Sequence, residues 1–75
     1  LARLQILSGR DVCRILSENG FVQIRRPGGS HIVMQKKITG STITVIVPDH
    51  NEIRIGTLLS IIRQSQLPRL AFEMK

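Results

Sequence analysis

The chain has 75 residues, is 41% hydrophobic, and carries eleven Lys and Arg against five Asp and Glu, a net charge of +6. That is apolar material for one compact core with a thin stability margin; it leaves no room for a deep cofactor cleft or a second domain, and so argues against large-cofactor chemistry. The positive balance favours a polyanion or an acidic partner, and the lone cysteine, Cys13, rules out an intrachain disulfide.

From the N-terminus, Ser8 followed by Asp11 marks a helix start, with Ser8 as N-cap and an acid in the first turn. Val12, Ile15 and Leu16 then form an apolar stripe at helical spacing. Cys13 falls among these positions and reads as a small hydrophobe. Asn19-Gly20 stops the helix, because glycine tolerates the left-handed conformation there. Phe21 to Arg26 reads as a strand with Val22 and Ile24 on one face, and Pro27-Gly28-Gly29 as a turn. Ser30 to Lys37 reads as a second strand with Ile32 and Met34 on one face. After the turn signal Thr39-Gly40, Thr42 to Val47 is rich in β-branched residues, places Ile43, Val45 and Val47 on one face, and ends at Pro48. Asp49 to Arg54 reads as a polar loop. Gly56-Thr57 opens a second helix with a buried stripe of Leu58, Leu59, Ile61 and Ile62, stopped by Pro68. The tail, with Leu70 and Phe72, reads as a short extra turn or a frayed end.

The whole chain, 1–75, thus reads as one α+β domain of order helix, three strands, helix. The strands form an antiparallel meander with both helices on one face of the sheet. There is no signal-peptide pattern and no apolar run of membrane-spanning length, so a cytoplasmic setting without membrane contact is the expectation.

Register then locates the chemistry. If Pro27-Gly28-Gly29 is a three-residue hairpin loop, Arg25 faces His31, Ile24 faces Ile32 and Val22 faces Met34. If Thr39-Gly40 is a two-residue turn, Met34 faces Val45, Ile32 faces Val47 and Gln35 faces Thr44. His31 then points to the open face, with Arg25 across from it at roughly 4.5–5.5 Å between Cβ atoms. Pro48 falls opposite His31, so that Asp49 and His50 emerge close by. Gly29 and Ser30 line the mouth of the hairpin, and Arg26, Lys36 and Lys37 add positive charge on the same two strands. A histidine titrates near neutrality and can give or take a proton. RNA carries its own nucleophile, the 2′-OH, so a positioned base with cations holding the phosphate suffices for internal transesterification. No metal or cofactor is required, and two histidines with a distant cysteine make no zinc site. Gly28-Gly29 matches no phosphate-loop pattern.

The residues also carry a resemblance. Ser8-Gly9 before the first helix, Gly20-Phe21 at its end, Arg25, Gly29-Ser30-His31, Val47-Pro48 with His50, Gly56-Thr57-Leu58 and Ile61-Ile62-Arg63-Gln64 occur in the order and spacing of the HicA, or YcfA-like, toxins of bacterial HicA–HicB toxin–antitoxin pairs. The likeness runs from about Leu7 to Leu67. It implies a fold similar to the double-stranded-RNA-binding domain and ribosome-independent cleavage of mRNA. It also implies a catalytic histidine at His31 and a HicB antitoxin that binds the toxin and masks the site. Pro27 and the tail after Leu67 depart from the pattern.

The expected function is therefore an endoribonuclease toxin. His31 is its acid or base, Arg25, Arg26, Lys36 and Lys37 hold the RNA backbone, Gly29 and Ser30 shape the phosphate contact, and His50 is a second candidate for proton transfer. Two alternatives fit the charge: a non-catalytic RNA-binding module of the same fold, and an accessory protein whose basic face docks an acidic partner.

Overall fold

The structure is a computed structural model and describes residues 6–25 and 29–73. In chain order it contains α1 (Gly9–Glu18), β1 (Val22–Arg25), β2 (His31–Ile38), β3 (Ser41–Pro48), α2 (Ile55–Ser65) and a 3-10 turn (Arg69–Phe72). The sheet is antiparallel in the order β1-β2-β3, and the fold is α+β of the expected double-stranded-RNA-binding-domain type.

Helix α1 begins at a reciprocal cap. The Ser8 hydroxyl accepts from the Asp11 N–H at 3.0 Å, and the Asp11 carboxylate accepts from the Ser8 N–H at 3.0 Å. Two of the donors left unpaired at a helix start are thereby satisfied. The helix ends at Asn19, and Gly20 takes a φ of 95°, where a Cβ would be strained. Between these ends Val12, Ile15 and Leu16 are buried.

The β2–β3 hairpin has the expected register. Ile32 pairs with Val47, Met34 with Val45, Gln35 with Thr44 and His31 with Pro48. Side chains alternate across a strand, and burial follows: Ile32, Met34, Ile43, Val45 and Val47 are buried, while His31, Thr42, Thr44 and Ile46 are exposed. Both helices cover the first face. Helix α2 contributes Leu58, Ile61 and Ile62 to the core, and Phe72 of the 3-10 turn is fully buried. Leu59, expected in the α2 stripe, is 42% exposed. It sits about 100° around the helix from Leu58, and Leu58, Ile61, Ile62 and Ser65 already fill the face at helical spacing. Ile53, expected in a polar loop, is in the core instead, where its N–H donates to the Leu7 carbonyl at 2.8 Å.

Strand β1 departs from the expected register. Val22 pairs with Gln35, Gln23 with Met34 and Arg25 with Val33, with an irregularity between Gln23 and Arg25. Arg25 is therefore not opposite His31, Ile24 is not opposite Ile32, and Val22 is not opposite Met34. The reason lies one residue earlier. Phe21, 2% exposed, is the residue that enters the core, while Val22 and Ile24 are 59% and 47% exposed. Side-chain direction has a period of two, so a one-residue slip turns the strand over. The phenyl ring removes the largest area from water and decides which way it turns.

Candidate active site

His31 opens β2 on the face that no helix covers. The chain reaches it through Gly29, whose φ of 89° is a left-handed turn conformation. The Ser30 hydroxyl lies 3.1 Å from His31 Nδ1, which leaves Nε2 as the nitrogen available to a ligand.

The end of β3 holds this corner from the other side. The Asp49 N–H donates to the Ser30 carbonyl at 2.9 Å, extending the hairpin one bond past the His31–Pro48 pair. The Gly9 N–H, at the start of α1, donates to the His50 carbonyl at 2.9 Å. Gly9 is buried so tightly that a Cβ there would run into the Pro48 carbonyl oxygen, with Asp49 Cα at 3.0 Å. Arg10, one residue on, pairs through Nε with the Asp49 carboxylate at 3.7 Å. The first turn of α1, the segment 48–50 and the turn before β2 are thus joined by backbone hydrogen bonds. His50 is exposed just beyond the end of β3.

The expected cations are distributed differently. Lys37 shares a strand face with His31 but lies six residues along β2, about 20 Å at the strand rise. Lys36 lies on the helix side. It pairs with buried Ile43, and its ammonium sits 5.9 Å from the centre of the Phe21 ring, a cation–π arrangement. Arg25 has its backbone partner at Val33, two residues along β2 from His31. Arg26 lies outside the described residues. The cation that sequence reasoning missed is Arg10. Its approach depends on α1 packing against the segment 48–50, and the only trace in the sequence is the small residue Gly9 beside it.

Chemically, this corner offers an imidazole with one nitrogen held and the other open, on a backbone whose Gly9 and Asp49 N–H groups are engaged with the His50 and Ser30 carbonyls and with Arg10 paired to Asp49. Among the described residues no three His, Cys, Asp or Glu side chains cluster as a metal site requires. The family model described as HicA toxin of bacterial toxin-antitoxin matches residues 9–67. The chain belongs to that family. No curated protein matches it. The HicA match spans both helices and all three strands and includes Ser30, His31 and the segment 48–50. Phe72 lies beyond the match yet is part of the core of this HicA toxin. No described helix is long and apolar enough to cross a membrane.

Proposed function

We propose that this HicA toxin is a cytoplasmic endoribonuclease that cleaves mRNA by metal-independent acid/base chemistry at His31 and is neutralised by a HicB-type antitoxin. The observation that carries this reading is the position of His31, exposed on the uncovered sheet face with Nδ1 engaged by Ser30. In the proposed reaction the 2′-oxygen attacks the neighbouring phosphorus. The P–O2′ bond forms, the P–O5′ bond breaks, a base takes the 2′-OH proton and an acid protonates the departing 5′-oxygen. His31 fills one of these roles and His50 is the candidate for the other; help of this kind is worth roughly 10²–10⁴-fold. Arg25, Arg26 and Lys37 are the candidate phosphate-holding groups of the expected set, joined by Arg10; Lys36, on the helix side, is set apart from them. Both phenylalanines are buried and the chain has no Trp or Tyr. The face thus lacks an aromatic platform for bases, and its grip on RNA rests on phosphate contacts that weaken with salt.

The test is cleavage of a defined, labelled RNA by wild type and His31→Ala, with and without chelator, followed by end-group analysis. We expect a 2′,3′-cyclic phosphate, indifference to chelator, no cleavage of the matching DNA, and a loss of 100-fold or more in the variant, within the range that acid/base catalysis supplies. A His31→Ala protein that still cuts RNA and arrests growth would overturn the assignment. RNA that is bound but intact after long incubation would favour the non-catalytic binding module.

A further inference from the structure

Ser30 and His31 are sequence neighbours, and in a regular strand neighbours point to opposite faces. Their side chains meet because Ser30 lies in the turn before the strand, reached through the left-handed Gly29. The carbonyl of Ser30 is tied to the Asp49 N–H at 2.9 Å, which fixes the peptide plane between Ser30 and His31. That tie is itself anchored, since the Gly9 N–H holds the His50 carbonyl and the bare Gly9 Cα packs on Pro48. The 3.1 Å contact between Ser30 Oγ and His31 Nδ1 is therefore the last link of a chain that starts in α1.

We infer that Ser30 is a positioning residue for His31, its hydroxyl oxygen accepting from the Nδ1–H so that Nε2 faces the RNA. The inference rests on the ribonuclease reading and names how that site is prepared. If His31 is the base, the neutral ring must keep its proton on Nδ1, so that the Nε2 lone pair is free to take the 2′-OH proton. The ring then becomes doubly protonated with Nδ1–H still donating to Ser30. If His31 is the acid, it starts doubly protonated, gives up the Nε2 proton to the 5′-oxygen, and again ends with Nδ1–H on Ser30. In both roles the hydroxyl remains an acceptor from Nδ1, which leaves its own O–H to donate to a phosphate oxygen. A hydroxyl can do both at once. Water competes for this bond on the free toxin, and covering the face with RNA removes that competition and strengthens it.

The test uses the full chain and has two arms. The first is ¹⁵N NMR of the His31 ring in the free protein, which reports the tautomer without any activity. Wild type is expected to carry the neutral-state proton on Nδ1, Ser30→Ala to shift it toward Nε2, and Ser30→Thr, which keeps the hydroxyl, to restore the wild-type pattern. The second arm is RNA cleavage. Ser30→Ala is expected to lose roughly tenfold in kcat, the value of about one hydrogen bond, with a smaller change in KM, and Ser30→Thr to recover most of it. A tautomer and a kcat both unchanged in Ser30→Ala would overturn the inference, as would a Ser30→Thr protein as impaired as Ser30→Ala in both arms. If wild type cleaves no RNA while the tautomer still depends on Ser30, the ribonuclease reading fails and the hold on Nδ1 stands. Ser30 is exposed, and an unchanged thermal midpoint checks that the variants fold.

Discussion

Strand β2 has a neighbour on each side, and its two seams are built differently. Toward β3 eight consecutive pairs run from Ile38–Ser41 to His31–Pro48 without interruption, closed by a tight turn in which Gly40 has a φ of 75°. Toward β1 there are three pairs, broken between Gln23 and Arg25. The regular seam carries the buried ladder of Ile32, Met34, Val45 and Val47 and fixes the end of β2 from which His31 projects. The irregular seam belongs to a four-residue edge strand, short and bent in the way that edges resist unwanted pairing. A site built at the far end of the regular seam, opposite the Gly40 turn, rests on its unbroken pairing. The arginine-bearing edge pairs with β2 at Val33, Met34 and Gln35 and does not reach His31.

That contrast can be broken in several places. The largest effect is expected at Phe21. Phe21→Ala should cost about 3–5 kcal/mol in urea denaturation, while Val22→Ala, one residue on and exposed, should stay within about 0.5 kcal/mol. The reverse order would mean that β1 presents its other face to the core.

Next comes the anchor of the regular seam. Gly9→Ala places a methyl group against the Pro48 carbonyl, so the backbone must shift, at about 1–3 kcal/mol. RNA cleavage should fall beyond what the unfolded fraction explains, because the tie to Ser30 moves as well. Equal stability and activity would show that α1 and the segment 48–50 do not bear on the site.

A smaller effect belongs to the turn that closes that seam. A Cβ on Gly40 meets no atom within 4 Å, so Gly40→Ala tests backbone conformation alone and should cost about 1–2 kcal/mol, the left-handed penalty. Cleavage per folded molecule should be unchanged, since His31 lies at the opposite end of β2.

The smallest effect is one of pH, at the cap of α1. The backbone N–H of Ser8, then its hydroxyl, hold the Asp11 carboxyl below its ordinary value; desolvation opposes them, and the Arg14 charge adds the least. A depressed folded-state value means stability that is present above the unfolded value of about 4 and is lost as pH falls through the folded one. Asp11→Asn should therefore lower the thermal midpoint slightly at neutral pH, and the gap to wild type should close under acid. A gap that widened under acid would reverse the assignment.

Much of this fold was legible because local rules suffice for it. Ser8 and Asp11 cap α1 wherever the helix lies, Asn19-Gly20 ends it, and the β-branched run of β3 with a two-residue turn before it leaves one register that keeps Ile43, Val45 and Val47 together. His31 on the open face and Pro48 opposite it follow from that register. What the sequence alone left open was every choice between competing apolar residues. Phe21, Val22 and Ile24 cannot all face inward from one strand, and Leu58 and Leu59 cannot share one helical stripe. Only the assembled core selects Phe21 and Leu58, because it rewards the arrangement that removes most apolar area from water without leaving a void. The loop that buries Ile53, the tail that buries Phe72 and the approach of Gly9 and Arg10 to the segment 48–50 depend in the same way on contacts between residues far apart in the chain. The residue types for the chemistry were therefore set by the sequence, whereas the distance of each cation from His31, and the hydroxyl that holds its ring, were decided by tertiary packing.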